Sequence, residues 1–266
     1  MKREIPLTGA PPLTGTWNWL GVPAILAAFA VNCRFFFARQ PATPLRVLAL
    51  IAITAALRSR GIVLGPDRRR ALIEAMELGA LLNDRFDQDP HDPEELRARV
   101  RWFARSEHRN LVRGYAKRLR RLERSRPDSM ERGSATQCYR EGVNSVSLAM
   151  LWALGHSRTL GIAELEIQRE PDLQLLFQIV MQAQVIDDVL DLREDRRREL
   201  PSFATGGASL QEIVSIYADG KPLRLDRDFC LRVALRTITA VARLVVAITA
   251  RTPKAAGCGR WRRAGR

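Results

Sequence analysis

The spacing of apolar and polar positions along the chain is typical of helices almost from end to end. Apolar residues recur at intervals of three and four, as in the segment that Gly65-Pro66 opens and Asp89-Pro90 ends. No stretch alternates strictly between apolar and polar residues, and no hairpin dipeptide joins two such stretches. The pattern therefore predicts an all-α chain.

Caps and helix-breaking residues set the expected boundaries. The predicted helices are residues 66–89, a helix capped by 92–95, 134–155 with a capping box at 134–137, 171–199, 209–219 and 226–252. The apolar runs "WLGVPAILAAFAV" and "VLALIAITAAL" predict two buried core helices. Because no repeat or linker interrupts the pattern, we expect one domain over residues 1–252. The Gly-rich, basic residues 253–266 are expected to be a disordered tail.

The formal net charge is +14, and it is unevenly distributed. The last sixteen residues hold six basic residues and no acid, which leaves about +8 for the body. Such an excess attracts nucleic acid, anionic lipid or a phosphorylated substrate. Four scattered cysteines without a CxxC pair indicate a reducing compartment, so we expect a cytoplasmic protein. The longest uninterrupted apolar run is short of the roughly 20 residues of a spanning helix, which leaves peripheral membrane contact as the alternative.

An acidic cluster lies in "QVIDDVLDLREDRRRELPSF", residues 184–203. Asp187, Asp191 and Asp195 are spaced i, i+4, i+8 on one helical face, and Asp188 lies beside them. Asp187, Asp188 and Asp191 have no basic residue three or four positions away. Like charges at this spacing are unfavourable, and more so when they are buried. A divalent cation such as Mg²⁺, which prefers carboxylate oxygens, makes such a cluster favourable.

A second acidic cluster lies earlier, in "ALLNDRFDQDP". Asn83, Asp84 and Asp87 converge on one face at the end of a predicted helix, where the helix dipole disfavours negative charge. The two clusters together predict a metal site.

The two clusters resemble known motifs. Residues 83–87 are similar to a DDxxD motif with asparagine in first place, and residues 187–195 resemble the second DDxxDxxxD motif of trans-prenyl diphosphate synthases. Gln184, the acids that follow it and Leu200-Pro201 also resemble the second signature of squalene and phytoene synthases. Both families belong to the class I isoprenoid synthase superfamily, together with the class I terpene cyclases.

The resemblance implies an antiparallel helix bundle around a central apolar pocket, with two acidic clusters facing each other across its mouth. It implies three Mg²⁺ ions that bridge carboxylates to the diphosphate of an allylic prenyl substrate. The metal ligands that it implies are Asn83, Asp84, Asp87, Asp187, Asp188, Asp191 and Asp195; Asp84, Asp87, Asp187 and Asp191 are also its catalytic residues. The implied substrate contacts are Arg140, Arg196 and Arg197 at the diphosphate and Phe86, Tyr139, Trp152 and Phe177 in the pocket.

Several departures bear on the reaction. No arginine pair follows Asp87, and Arg58 and Arg60 match an upstream diphosphate site poorly. Ionisation and cyclisation of one prenyl diphosphate is therefore favoured over chain elongation or head-to-head condensation, which stay open as alternatives. The short separation of the motifs and the atypical C-terminus leave a reduced or inactive relative open, and a homodimer is also open. A UbiA-type membrane prenyltransferase would need many spanning helices, and no apolar run is adequate.

A basic segment, "RSEHRNLVRGYAKRLRRLERSR", favours a different class of function. Its cations at Arg109, Arg113, Lys117 and Arg121 follow i, i+4 spacing, opposite an apolar stripe. Such a helix is typical of a non-catalytic protein that binds nucleic acid or an anionic membrane. Because the acidic clusters would repel nucleic acid, we expect no nucleic-acid partner.

Overall fold

The computed structural model describes residues 43–87, 92–128, 133–206, 209–222, 226 and 228–251. Within them the chain forms ten helices and no strand, which confirms the all-α prediction. The helices are α1 (Thr43–Ser59), α2 (Pro66–Phe86), α3 (Pro93–Ala104), α4 (Arg109–Arg124), α5 (Gly133–His156), α6 (Leu160–Arg169), α7 (Pro171–Leu190), α8 (Leu192–Arg198), α9 (Leu210–Ile216) and α10 (Phe229–Arg251). The predicted helix in residues 19–31 and the predicted tail, 253–266, lie outside the described residues.

Local sequence explains several helix starts. The Asp92 carboxylate accepts the N–H of Glu94 at 2.8 Å, and the Ser209 hydroxyl accepts the N–H of Glu212 at 3.4 Å. Proline occupies the first turn of α2, α3 and α7, where its missing N–H costs nothing. The capping box predicted at Ser134 is wrong, because α5 already begins at Gly133.

The structure differs from the predicted helices in several further places. The helix predicted over residues 171–199 is divided at Asp191 into α7 and α8. The helix predicted to reach residue 219 ends at Ile216. Helix α6 was not predicted, because its ten residues bury only a narrow stripe of Leu160, Ala163 and Ile167.

Helix α7 lies at the centre of the bundle and packs against α1, α5, α6, α9 and α10. Its buried face carries Leu173, Leu176, Ile179, Val185 and Val189. Helix α5 packs against α2, α4, α6 and α7, so it connects the two halves of the core. This packing brings the C-terminal end of α7 to the N-terminal half of α5, and the acidic residues of α7 lie there.

Two helices are long and apolar enough to cross a membrane by length and composition alone: Pro171–Leu190 and Phe229–Ala250. The prediction that no segment is adequate is therefore wrong for these two, because it considered only uninterrupted apolar runs. The share of the apolar window that is buried inside the protein is 56% for the first helix and 33% for the second. The first helix thus has the burial of a core helix, whereas most of the second is accessible.

Candidate functional site

The acidic residues of α7 surround the end of that helix. Asp191 is the residue between α7 and α8, with φ −91° and ψ 6°. Its N–H donates to the carbonyl of Asp187 at 2.9 Å, and the N–H of Asp195 donates to the carbonyl of Asp191 at 2.9 Å. The i, i+4, i+8 row therefore persists across the helix break, although Asp191 is exposed and Asp195 is buried.

Asp188 is the most deeply buried acid of the cluster, with 2% exposure. Its Oδ1 accepts from Gln184 Nε2 at 2.6 Å and lies 3.0 Å from Nη2 of Arg140. Its Oδ2 accepts the backbone N–H of Phe203 at 2.7 Å. These three donors bind α7, α5 and the loop after α8 together. Sequence reasoning gave Asp188 a lesser role than its neighbours, whereas the structure makes it the centre of the cluster.

Arg140 is the buried cation of this cluster. Burial alone would lower its pKa, but the surrounding acids, Asp188 foremost, raise it, so the guanidinium stays charged. Its Nε–H is buried and has no hydrogen-bond partner in the described part of the chain. A buried donor without an acceptor is costly, so an acceptor at this group would be stabilising.

The other acids of the cluster have raised pKa values. Burial, followed by the charges of Asp188 and Asp191, raises the pKa of Asp187 to about 7. Burial and the Asp188 charge raise the pKa of Asp195 to about 6, although a hydrogen bond with Ser202 opposes this. Burial and Asp188 likewise raise the pKa of Asp191. Among the described residues, Asp187 and Asp191 form no ion pair or hydrogen bond through their carboxylates.

In the acidic cluster at the end of α2, a cation balances part of the negative charge. Asp87 forms an ion pair with Arg126, and its Oδ2 accepts from Asn83 Nδ2 at 2.9 Å. Arg126 also lies 3.5 Å from Glu123, which accepts the hydroxyl of Tyr139 at 2.7 Å. This is a correction to the sequence argument, which searched for cations only within the helix: Arg126 comes from the segment after α4.

Tyr139 and Arg140, adjacent on α5, connect the two clusters: Tyr139 donates to Glu123 beside Arg126, and Arg140 pairs with Asp188. The charge of Asp87 contributes to the raised pKa of Asp188, and the charge of Arg140 acts on Glu123. Residues about 100 positions apart therefore share one electrostatic environment. Asp84, on the same helix end as Asp87, is half-buried and forms an interaction of its own.

The remaining predicted residues lie at varied distances from this site. Arg196 and Arg197 are exposed, and Arg197 pairs with Glu194. Phe86 is half-buried against the core. Phe177 packs edge-on against Tyr217, with 6.4 Å between the ring centroids. Trp152 is fully buried, and twelve residues of helix place it about 18 Å along α5 from Arg140.

Four neighbours of the site escaped sequence reasoning: Glu123, Arg126, Phe203 and Tyr217. Phe203 supplies a backbone N–H, which no side-chain pattern reveals. Tyr217 donates its hydroxyl to Glu141 at 2.6 Å and also packs against Phe203. The sequence signal for Arg126 was only its presence near the end of a basic helix.

We tested whether these residues fit Mg²⁺. In the described part of the chain, no three His, Cys, Asp or Glu side chains are arranged so that they could hold a metal ion. A site built only of protein ligands therefore does not fit. Mg²⁺ is, however, commonly held by one or two carboxylates, with substrate phosphate and water as its other ligands. Asp187 and Asp191 lie one helical turn apart and form no ion pair among the described residues, so they fit that arrangement.

No family model matches the chain, and neither a curated protein nor a solved structure shows a significant match to it.

Proposed function

We propose that the protein is a class I isoprenoid synthase-like enzyme. It would ionise an allylic prenyl diphosphate with the help of Mg²⁺ and then cyclise or quench the carbocation. The observation that carries the proposal is the crowding of Asp187, Asp188 and Asp195 around the buried guanidinium of Arg140 at the end of α7. Within the described part of the chain, the carboxylates of Asp187 and Asp191 form no ion pair, and the Nε–H of Arg140 has no acceptor. A bound cation together with a bound anion would satisfy all three groups.

The metal would be held by Asp187 and Asp191, with Asp195 in the same acidic cluster. When bound, Mg²⁺ supplies positive charge to the diphosphate oxygens and so stabilises the negative charge that develops as this group departs. Deprotonated carboxylates are the ligands, so binding is expected to weaken below about pH 7, where Asp187 takes up a proton.

The residues of the chain would contribute orientation and shielding. The ion pair with Asp188 holds the guanidinium of Arg140 in place, so that its Nε–H can donate to a diphosphate oxygen. Tyr139 and Glu123 fix the adjacent part of α5 against α4. Phe177, with the Phe203–Tyr217 pair, supplies apolar surface near the cluster, and such surface excludes water from a carbocation.

The test is diphosphate release from geranyl, farnesyl and geranylgeranyl diphosphate, with and without Mg²⁺, with analysis of organic extracts by mass spectrometry. We expect Mg²⁺-dependent release that falls at least a hundredfold in Asp187→Asn/Asp191→Asn. Asp67→Asn, at an exposed position in the first turn of α2, is the matched control and should keep full activity. A parallel reaction with added isopentenyl diphosphate examines the alternatives.

Each result has a distinct meaning. A cyclic or hydroxylated product without isopentenyl diphosphate supports the cyclase. A longer diphosphate, or a head-to-head product from two identical substrates, assigns a prenyltransferase instead. The absence of release by folded protein with every substrate would leave a non-catalytic protein, with Arg140–Asp188 and Asp87–Arg126 as purely structural ion pairs.

A further inference from the structure

Helix α4 carries a cationic surface that the proposed function does not use. Its basic residues Arg109, Arg113, Lys117, Arg120, Arg121 and Arg124 are all exposed. At 100° per residue they fall within an arc of about 120° on one side of the helix, along about 22 Å of its axis. We call these six residues the α4 cationic face.

Within the part of the chain that the structure describes, no acid pairs with the α4 cationic face. Among the described residues, none of the six forms an ion pair. Arg118, which lies outside the arc, pairs with Glu164, and the acid Glu123, just beyond the edge of the arc, contacts Arg126 and Tyr139. The six charges therefore repel one another, and a polyanionic surface would relieve that repulsion.

The packing of α4 limits what that surface can be. Val112, Tyr115 and Leu119 are buried in the core, and α3, α5 and α6 pack against the helix. The apolar side of α4 is thus already occupied and cannot insert into a bilayer. Binding through this face has to be electrostatic and superficial, with the helix axis parallel to the surface.

The same packing disfavours a nucleic-acid ligand. A helix that reads duplex DNA enters a groove about 12 Å wide and 8.5 Å deep, whereas α4 exposes only about a third of its circumference. Single strands are bound by stacking bases on aromatic side chains, and the exposed residues of α4 are arginine, lysine and asparagine. A straight, shallow row of cations matches an extended plane of phosphates better than it matches the narrow cylinder of a nucleic-acid duplex.

We propose that the α4 cationic face binds an anionic membrane surface. All six side chains can reach a planar layer of anionic headgroups at once, and each cation near such a surface contributes about a fivefold gain in binding. The inference stands on the charge and packing of α4 and does not require the proposed enzymatic function.

The test is cosedimentation of the full-length chain with vesicles of phosphatidylcholine alone or with 30% phosphatidylserine. The variant Arg113→Gln/Lys117→Gln/Arg121→Gln removes three charges while keeping helix propensity. The control Arg58→Gln/Arg69→Gln/Arg169→Gln removes three exposed charges from α1, α2 and α6, so its net charge is the same. Both variants keep the basic C-terminal residues, whose contribution therefore cancels.

We expect binding to phosphatidylserine vesicles that falls about a hundredfold in the α4 variant, stays within about threefold of wild type in the control, and weakens in 0.5 M salt. Equal losses in the two variants would overturn the proposal, because they would reflect net charge and not the face. The absence of vesicle binding would overturn it as well. Tight binding of a duplex or single-stranded oligonucleotide that only the α4 variant loses, without vesicle binding, would assign the face to nucleic acid. Unchanged circular dichroism and thermal midpoint establish that the variants are folded.

Discussion

The two ends of α7 each hold a buried polar cluster, and the two clusters differ in charge balance. At the N-terminal end, the carboxylate of the buried Asp172 accepts a hydrogen bond from Nε of Arg60 at 2.6 Å. It accepts a second hydrogen bond from Nη2 of the same guanidinium. At the C-terminal end, about 24 Å away along the helix, Asp188 shares the single buried cation Arg140 with Asp187 and Asp195.

The surroundings extend this contrast. Around Asp172, Trp152 donates its indole N–H to Glu166 at 2.7 Å, Arg158 pairs with Glu166, and Arg60 lies 5.2 Å from the Trp152 ring. The helix dipole also favours an acid in the first turn of α7 and disfavours acids in its last turn. The N-terminal cluster is therefore complete as a structural unit, whereas the C-terminal cluster keeps an excess of negative charge. This excess is the physical reason for assigning the binding function to the second cluster.

The largest effect is expected from breaking the balanced cluster. Arg60→Met leaves the buried Asp172 without its bidentate partner, and we expect a loss of about 3–5 kcal/mol in the free energy of unfolding. Urea denaturation measures it, with the exposed Arg69→Met as control. A loss below 1 kcal/mol would mean that Asp172 is satisfied by other groups.

Arg140→Met should destabilise the protein by a similar amount at pH 8, but by much less at pH 5. Without the guanidinium, Asp187 and Asp195, whose pKa values are already raised to about 7 and 6, protonate in the folded state. Their mutual repulsion is then absent at low pH and grows as the pH rises through those values. Denaturation curves at the two pH values test this, and an equal loss at both would contradict the crowding of acids around Arg140.

Asp187→Asn should stabilise the protein by about 1–3 kcal/mol at pH 8 and have little effect at pH 4. The sign follows from the raised pKa: the contribution of Asp187 to stability is fully present below its ordinary pKa and is lost as the pH rises through about 7. Removing the acid therefore helps increasingly as the pH rises from the ordinary pKa of an aspartate to about 7, and it helps most at pH 8. Thermal midpoints across this range measure the effect, with Asp67→Asn as the matched control. Destabilisation at pH 8 would show that Asp187 already has a cationic partner.

The smallest effect is expected from Tyr139→Phe, which removes one hydrogen bond to Glu123 while Arg126 still pairs with that acid. We expect a loss of about 1 kcal/mol in the free energy of unfolding. Glu123 also feels Asp87 and Arg140, so a much larger loss would indicate that Tyr139 holds the two acidic clusters together.

The sequence predicted the features that depend on neighbours along one helix. The all-α class and the caps at Asp92 and Ser209 are confirmed, because each depends on residues within four positions. The pairs Asp87–Arg126 and Asp188–Arg140 join residues 39 and 48 positions apart, so no local pattern contains them. The bond from the Phe203 N–H to Asp188 joins residues 15 positions apart, so no local pattern contains it either.

The most direct test of the central claim is a titration of Mn²⁺, as a spectroscopic substitute for Mg²⁺ at a carboxylate site, followed by electron paramagnetic resonance. It is made at pH 8 with and without inorganic pyrophosphate, on wild type, Asp187→Asn/Asp191→Asn and the Asp67→Asn control. The account predicts that pyrophosphate tightens Mn²⁺ binding at least tenfold in wild type and in the control, and that the double variant loses this tightened binding. Equal binding by all three proteins, or no binding in the presence of pyrophosphate, would contradict the assignment of the unpaired acids at the end of α7 to a cation shared with a diphosphate.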